Sequence, residues 1–197
     1  AFEQSSSGQS LVNMMDLDLL VGSGGVLSHA PRRQQSARML IDAFMPEGIT
    51  QLAVDSIFMM PQLGVLANID KHELKEDASQ AALEVFDNDC LIRLGTCVTP
   101  VGNAKPNSKM ADVTLTFGDG TVKEIEINEG SLEMMEHPYE EVKVHIKPSR
   151  SIDVGAGKGE ELESVIYGGV VGLIFDGRNR PITLSKESDQ RIDSLLS

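Results

Sequence analysis

The chain has no tryptophan, two tyrosines and six phenylalanines, so aromatic residues fill only 4% of its 197 positions. Its core must be built from aliphatic side chains and nine methionines. Cysteine is nearly as scarce. Cys90 and Cys97 are too few for a disulfide scaffold, and a reduced, cytoplasmic setting is the default expectation. Positive charge is in deficit, 17 Lys and Arg against 30 Asp and Glu, for a net charge of −13. That balance excludes a general nucleic-acid binder, which needs a basic face. No apolar run approaches the roughly 18 residues of a membrane helix, so no membrane partner is expected. The 41% of residues that are apolar suffice for a core of one or two domains. The opening AFEQSSSGQS shows neither Met nor a leader, and the chain is expected to be a fragment of a larger one.

The first third reads as α/β. Residues 10–15 are expected to end a helix. Leu17-Asp18-Leu19-Leu20-Val21 runs into Gly22-Ser23-Gly24-Gly25, the pattern of a buried strand meeting a tight turn. Pro31 predicts the start of a helix to about residue 44. Ala37, Leu40, Ile41 and Phe44 form one apolar face of it, and Pro46 and Gly48 end it. Residues 49–54 predict a second strand, and Asp55 or Ser56 a cap. Residues 61–66 and 78–86 predict two more helices. From Cys90 the pattern turns to β. Residues 91–98 alternate, and 113–117 and 122–127 flank Gly118-Asp119-Gly120 as a hairpin. Further strands are expected at 142–146 and 170–175, with 182–184 pairing back and a helical tail over 188–196. The boundary is placed near residue 88. Residues 1–88 are then the α/β unit and residues 89–197 a mainly β domain, α+β overall.

Gly22, Ser23, Gly24 and Gly25 are the candidate binding residues. A strand entering a glycine turn and leaving into a helix gathers bare N–H groups, and without Cβ atoms the backbone approaches a flat ring or a phosphate closely. A helix N-terminus adds partial positive charge. The spacing is neither GxGxxG nor GxxxxGK[ST], and such a turn taken alone is more often structural than ligand-binding. The loop Asp153-Val154-Gly155-Ala156-Gly157-Lys158-Gly159 is glycine-rich too, but Lys158 is followed by Gly where a P-loop needs a hydroxyl. The four histidines, His29, His72, His137 and His145, have no ligand spacing, so no metal site is expected. Cys90 and Cys97 lie an odd number of positions apart, which puts them on opposite faces of a regular strand. Arg32-Arg33 places positive charge against a helix dipole, either as solvated surface or facing an anion. Paired methionines suit core filling, and the acidic stretch 124–141 a solvated face. No G-x-S-x-G elbow supports a hydrolase.

Read through, LDLLVGSGGVLSHAPRRQQSARMLIDAFMPEGITQLAVDSIFMMPQLGVLA, residues 17–67, resembles the C-terminal part of the nucleotide-binding core of the MutL family. These are glutamate mutase accessory proteins, unrelated to the mismatch-repair protein of that name. The resemblance continues through Asp89-Cys90-Leu91-Ile92-Arg93-Leu94-Gly95-Thr96, the Asp153–Gly159 loop, and Gly168-Gly169-Val170-Val171-Gly172-Leu173-Ile174-Phe175-Asp176-Gly177-Arg178. The family sits in the actin, sugar kinase and heat-shock ATPase superfamily, so the resemblance implies a partial actin-like ATPase core. It implies an ATP-dependent, chaperone-like reactivator of an adenosylcobalamin-dependent mutase such as glutamate mutase. Gly22, Ser23, Gly24 and Gly25 would contact adenosine through backbone atoms. Mg with ATP or ADP would be bound in the intact parent. No Asp-x-Gly-x-Thr phosphate loop precedes the adenosine motif, so this chain would supply one edge of the site and no catalytic residue. A homo-oligomer is compatible with all of this. Two other readings stay open: an interaction or structural module without nucleotide, and a sugar- or acid-kinase-like enzyme whose catalytic Asp lies in the missing half.

Overall fold

The computed structural model describes residues 12–67 and 76–182. A 3-10 turn, Met14–Asp16, leads into β1 (Leu19–Gly22), the single-turn α1 (Gly25–Ser28), α2 (Arg33–Phe44), β2 (Gly48–Asp55), α3 (Met60–Ala67) and α4 (Glu76–Val85). A π-helical turn, Phe86–Cys90, follows. Every described element after it is a strand: β3 (Leu91–Thr99), β4 (Val101–Gly102), β5 (Lys109–Phe117), β6 (Val122–Asn128), β7 (Leu132–Pro148), β8 (Ile152–Asp153) and β9 (Leu162–Asp176).

Seven strands make one sheet in the order β1-β2-β3-β9-β7-β5-β6, and β4 pairs with β8 apart from it. β1 runs parallel to β2, and β3 parallel to β9. The other neighbours are antiparallel. The sheet is therefore mixed, and strands from both sides of residue 88 share it. The α/β-then-β reading of the sequence matches this order of elements, but the strand before the glycine turn, expected to be buried, is the edge strand β1: only Gly22 of it is buried and Leu19 is exposed, because β2 covers it on one side alone.

The helix expected from Pro31 begins at Arg33. It ends because Met45 turns left-handed (φ 51°), its N–H reaching the Ile41 carbonyl at 2.8 Å, and Pro46 cannot continue a helix. The expected apolar face is the buried one. Ala37, Leu40 and Ile41 pack against Leu52, Val54, Leu94, Cys97, Val171 and Ile174, with Phe44 at the margin. Side chains such as Leu40 and Ile41 contribute about 1.5–3 kcal/mol each when buried this way. A second core lies across the sheet. Ile174 faces the first core, while its neighbours Leu173 and Phe175 join Val98, Val113, Leu115, Val144 and Ile146 in the second.

Two strands are longer than the sequence suggests. Much of the stretch read as a solvated acidic face is the first half of β7, and β9 starts at Leu162. Register shifts between Met135 and His137 and between His137 and Glu141 break the alternation that would have revealed them. Gly168 fits opposite this irregularity because a Cβ there would collide with the Pro138 carbonyl. Gly95 (φ 139°) lets β3 cross β9 where a side chain would meet the Gly172 backbone. The expected hairpin is present, with the Gly120 N–H bonded to the Phe117 carbonyl at 2.9 Å. Both cysteines are buried and unpaired. Cys90 closes the π-helical turn, so strand parity does not place it. In place of the expected helix end, the described residues near 15 form only the 3-10 turn, capped by Asn13. The pairing expected at residues 183–184, the tail at 188–196 and His72 lie outside the described residues.

Candidate functional site

β1 and β2 are parallel and end together, with Gly22 opposite Val54. The two chains leave these parallel strands at the carboxyl end of the sheet, the end at which open α/β sheets bind ligands. Here the glycine turn meets Asp55 and Ser56.

The four candidate residues have different physical roles. Gly22 is buried, and a Cβ on it would lie 2.6 Å from Leu27 Cδ1 and 2.7 Å from Leu40 Cδ2. It is glycine for packing. Gly24 has φ 118° and ψ 152°, a conformation L-residues rarely adopt. Its carbonyl accepts the N–H groups of Leu27 at 3.0 Å and Ser28 at 2.9 Å. Gly25 has ordinary φ. A Cβ on Gly24 or Gly25 would meet nothing within 4 Å, so the approachable backbone is at these two residues. The positive charge expected from a following helix is small, because α1 is one turn and the long helix starts only at Arg33.

Ser23 Oγ donates to Asp55 Oδ2 at 3.4 Å, and Ser28 Oγ to the Asp55 carbonyl at 2.7 Å. Asp55 is fully buried. Its carboxylate accepts the N–H groups of Met59 at 3.2 Å and Met60 at 3.0 Å, on the way into α3. Burial alone would raise its pKa, but the backbone N–H groups of Met60, Met59, Ile57 and Phe58 outweigh burial and hold it below the usual carboxylate value. Of the two caps the sequence offers, Asp55 is the one used. Ser56 Oγ donates instead to the Cys90 carbonyl at 2.8 Å. Around this edge Val26, Ile57, Phe58, Met60, Val65 and Leu66 are exposed, and α3 has no buried residue. Phe58 is held at φ 65°.

The remaining candidates find local partners. Arg33 Nη1 donates to the Ser28 carbonyl at 2.9 Å, which closes the end of α1 and needs no anion. Arg32 is exposed, and its N–H bonds Gln35 Oε1 at 3.2 Å. His29 Nδ1 lies 3.2 Å from the Gly25 carbonyl, His145 pairs with Glu161 at 2.8 Å, and the His137 ring packs tilted against Phe117 with centroids 5.0 Å apart, its buried Nε2 without a hydrogen-bond partner among the described residues. In the second glycine loop, Asp153 Oδ1 accepts the N–H groups of Gly155 at 2.8 Å and Gly157 at 3.1 Å. Those amides face their own turn. Among the described residues no three His, Cys, Asp or Glu side chains converge as metal ligands, and no helix is long and apolar enough to cross a membrane.

Sequence reasoning misses one buried charge cluster. Asp176, fully buried, takes Arg178 Nε at 2.8 Å and Arg180 Nη2 at 2.9 Å, and Arg178 Nη1 reaches Asp42 of α2 at 2.8 Å. The Asp-Gly-Arg sequence signals only a turn.

The family model described as MutL protein matches residues 4–88. No curated protein and no solved structure matches the chain. The matched segment holds β1, the glycine turn, α2, β2, the Asp55 cap and α3, while the resemblance over residues 89–178 lies outside it. Over residues 4–88 the chain is similar to the MutL family.

Proposed function

We propose that the chain is the adenosine-contacting part of an ATP-binding accessory protein, a partial actin-like core that helps reactivate an adenosylcobalamin-dependent mutase such as glutamate mutase. The observation that carries this reading is the open backbone of Gly24 and Gly25 at the carboxyl ends of parallel β1 and β2, inside the matched segment. Adenine is flat and uncharged. It needs close approach and an apolar wall rather than a helix dipole, which suits a one-turn α1 beside exposed Val26, Ile57 and Phe58. Gly24 and Gly25 would present backbone to the nucleoside. Ser23 would offer a hydroxyl, and Gly22 would keep β1 pressed on Leu27 and Leu40. Bound ATP supplies the hydrolysable phosphate anhydride. Asp55 is committed to α3, so the Mg ligands and catalytic acids belong to the rest of the intact parent. The setting is the cytoplasm.

The test is a nuclear magnetic resonance titration of the intact parent with Mg-ADP. Shifts concentrated at the amides of residues 23–26 support the reading, and shifts elsewhere sink it. A second reading, an interaction module without nucleotide, is favoured by α3, whose apolar residues lie on the surface. It predicts binding of the mutase with no response of the turn to nucleotide.

A further inference from the structure

Asp55 is an ionised carboxylate with no exposure, and its donors come from two different places. The Ser23 hydroxyl belongs to the glycine turn, while the Met59 and Met60 N–H groups belong to the start of α3. Ser23 and Met60 share one oxygen, Oδ2, at 3.4 and 3.0 Å. A buried charge cannot go unsatisfied without a large penalty, so when one donor leaves, the charge leans harder on those that remain. The dependence matters for α3 because no residue of that helix is buried. Asp55 is thus a main tether between the start of α3 and the sheet.

We propose that Asp55 couples the glycine turn to α3, so that a ligand drawing the Ser23 hydroxyl into its own contacts tightens the first turn of α3. With Ser23 engaged elsewhere, opening α3 would strand the carboxylate with still fewer donors, and the open state becomes costlier. When the turn is empty, Ser23 shares the charge and α3 opens more readily. By reciprocity, fastening α3 from outside frees Ser23 and favours the ligand. The trigger rests on reading the turn as a nucleotide contact. The linkage between Ser23 and α3 does not.

The experiment is amide hydrogen exchange of the intact parent, followed at Leu63, whose N–H bonds the Met59 carbonyl at 2.9 Å. Ser23→Ala is expected to slow exchange at Leu63 about two- to threefold, the low end of one net hydrogen bond, given the long Ser23 contact. Asp55→Asn is expected to speed it, and Ser23→Ala added to Asp55→Asn to change it no further, which closes a double-mutant cycle. Unchanged or faster exchange in Ser23→Ala alone overturns the coupling, and this arm needs no Asp55 variant to fold. Mg-ADP added to the wild type should slow Leu63 as Ser23→Ala does. ADP that binds the turn and leaves α3 unchanged overturns the response to ligand. ADP that does not bind at all overturns the nucleotide reading, and the Ser23→Ala result still decides the linkage.

Discussion

Three alanine substitutions in the glycine turn separate packing, backbone strain and approach. Alanine at Gly22 places a methyl 2.6 Å from Leu27 and 2.7 Å from Leu40. Leu40 is 1% exposed and held by the first core, so it yields little room, and overpacking of this kind costs about 1–3 kcal/mol. Alanine at Gly24 meets no atom but must adopt φ 118°, a strain of about 1–3 kcal/mol. Alanine at Gly25 meets no atom and keeps an ordinary φ. It should leave stability unchanged or raise it by up to about 1 kcal/mol, because alanine restricts the unfolded chain. At this chain length each kcal/mol moves the melting temperature by about 2–4 °C. Calorimetric melting of the three variants should therefore show Gly22→Ala and Gly24→Ala lowered by several degrees and Gly25→Ala level with wild type. A Gly25→Ala loss as large as that of Gly22→Ala would refute the division of roles, as would a harmless Gly22→Ala.

Asp55 contributes to stability with a definite pH sign. Its folded-state pKa lies below the unfolded value of about 3.9, so its contribution is full above that value and is lost as pH falls through the folded one. Asp55→Asn should cost about 1–3 kcal/mol at neutral pH and should lack this part of the acid loss, read as urea midpoints at neutral and acid pH. Burial pushes the Cys97 thiol up to about 12, so native protein at mildly alkaline pH should leave Cys97 unmodified by iodoacetamide until urea unfolds it. Asp176→Ala removes the carboxylate that holds Arg178 and Arg180. Breaking a buried pair from one side should cost about 3–5 kcal/mol in the same urea assay.

What the sequence makes legible is what is local. The i, i+3, i+4, i+7 face of α2 and the Gly118-Asp119-Gly120 turn each carry their signal within a few residues, and each is realised; the apolar run before Gly22 is a strand as expected, but an edge strand with Leu19 exposed rather than a buried one. The Asp55 cap is legible as one of two options, since both residues suit that role. Its full burial and its bond to Ser23 depend on parallel pairing of β1 with β2, which no local pattern encodes. The first half of β7 is hidden because Glu-rich sequence with two register shifts carries no clean period of two. The early part of β9 is hidden by Gly168-Gly169, which reads as a turn and is glycine because other backbone passes there. The candidate turn itself is plain in the sequence. The distinction between Gly22, needed for packing, and Gly24 and Gly25, open on one side, arises from how Leu27 and Leu40 close over Gly22 alone.

The most direct test of the central claim is titration calorimetry of Mg-ADP into the full-length protein, with Gly25→Val beside it. Valine at this open position adds bulk where the nucleoside would approach, while no neighbouring atom lies within 4 Å of the added Cβ. The account predicts saturable binding to the wild type and binding at least about tenfold weaker, a loss of about 1.4 kcal/mol, in a variant that melts normally. Equal affinity in two folded proteins, or no binding to either, would contradict it and leave the interaction module as the better account of the turn and of α3.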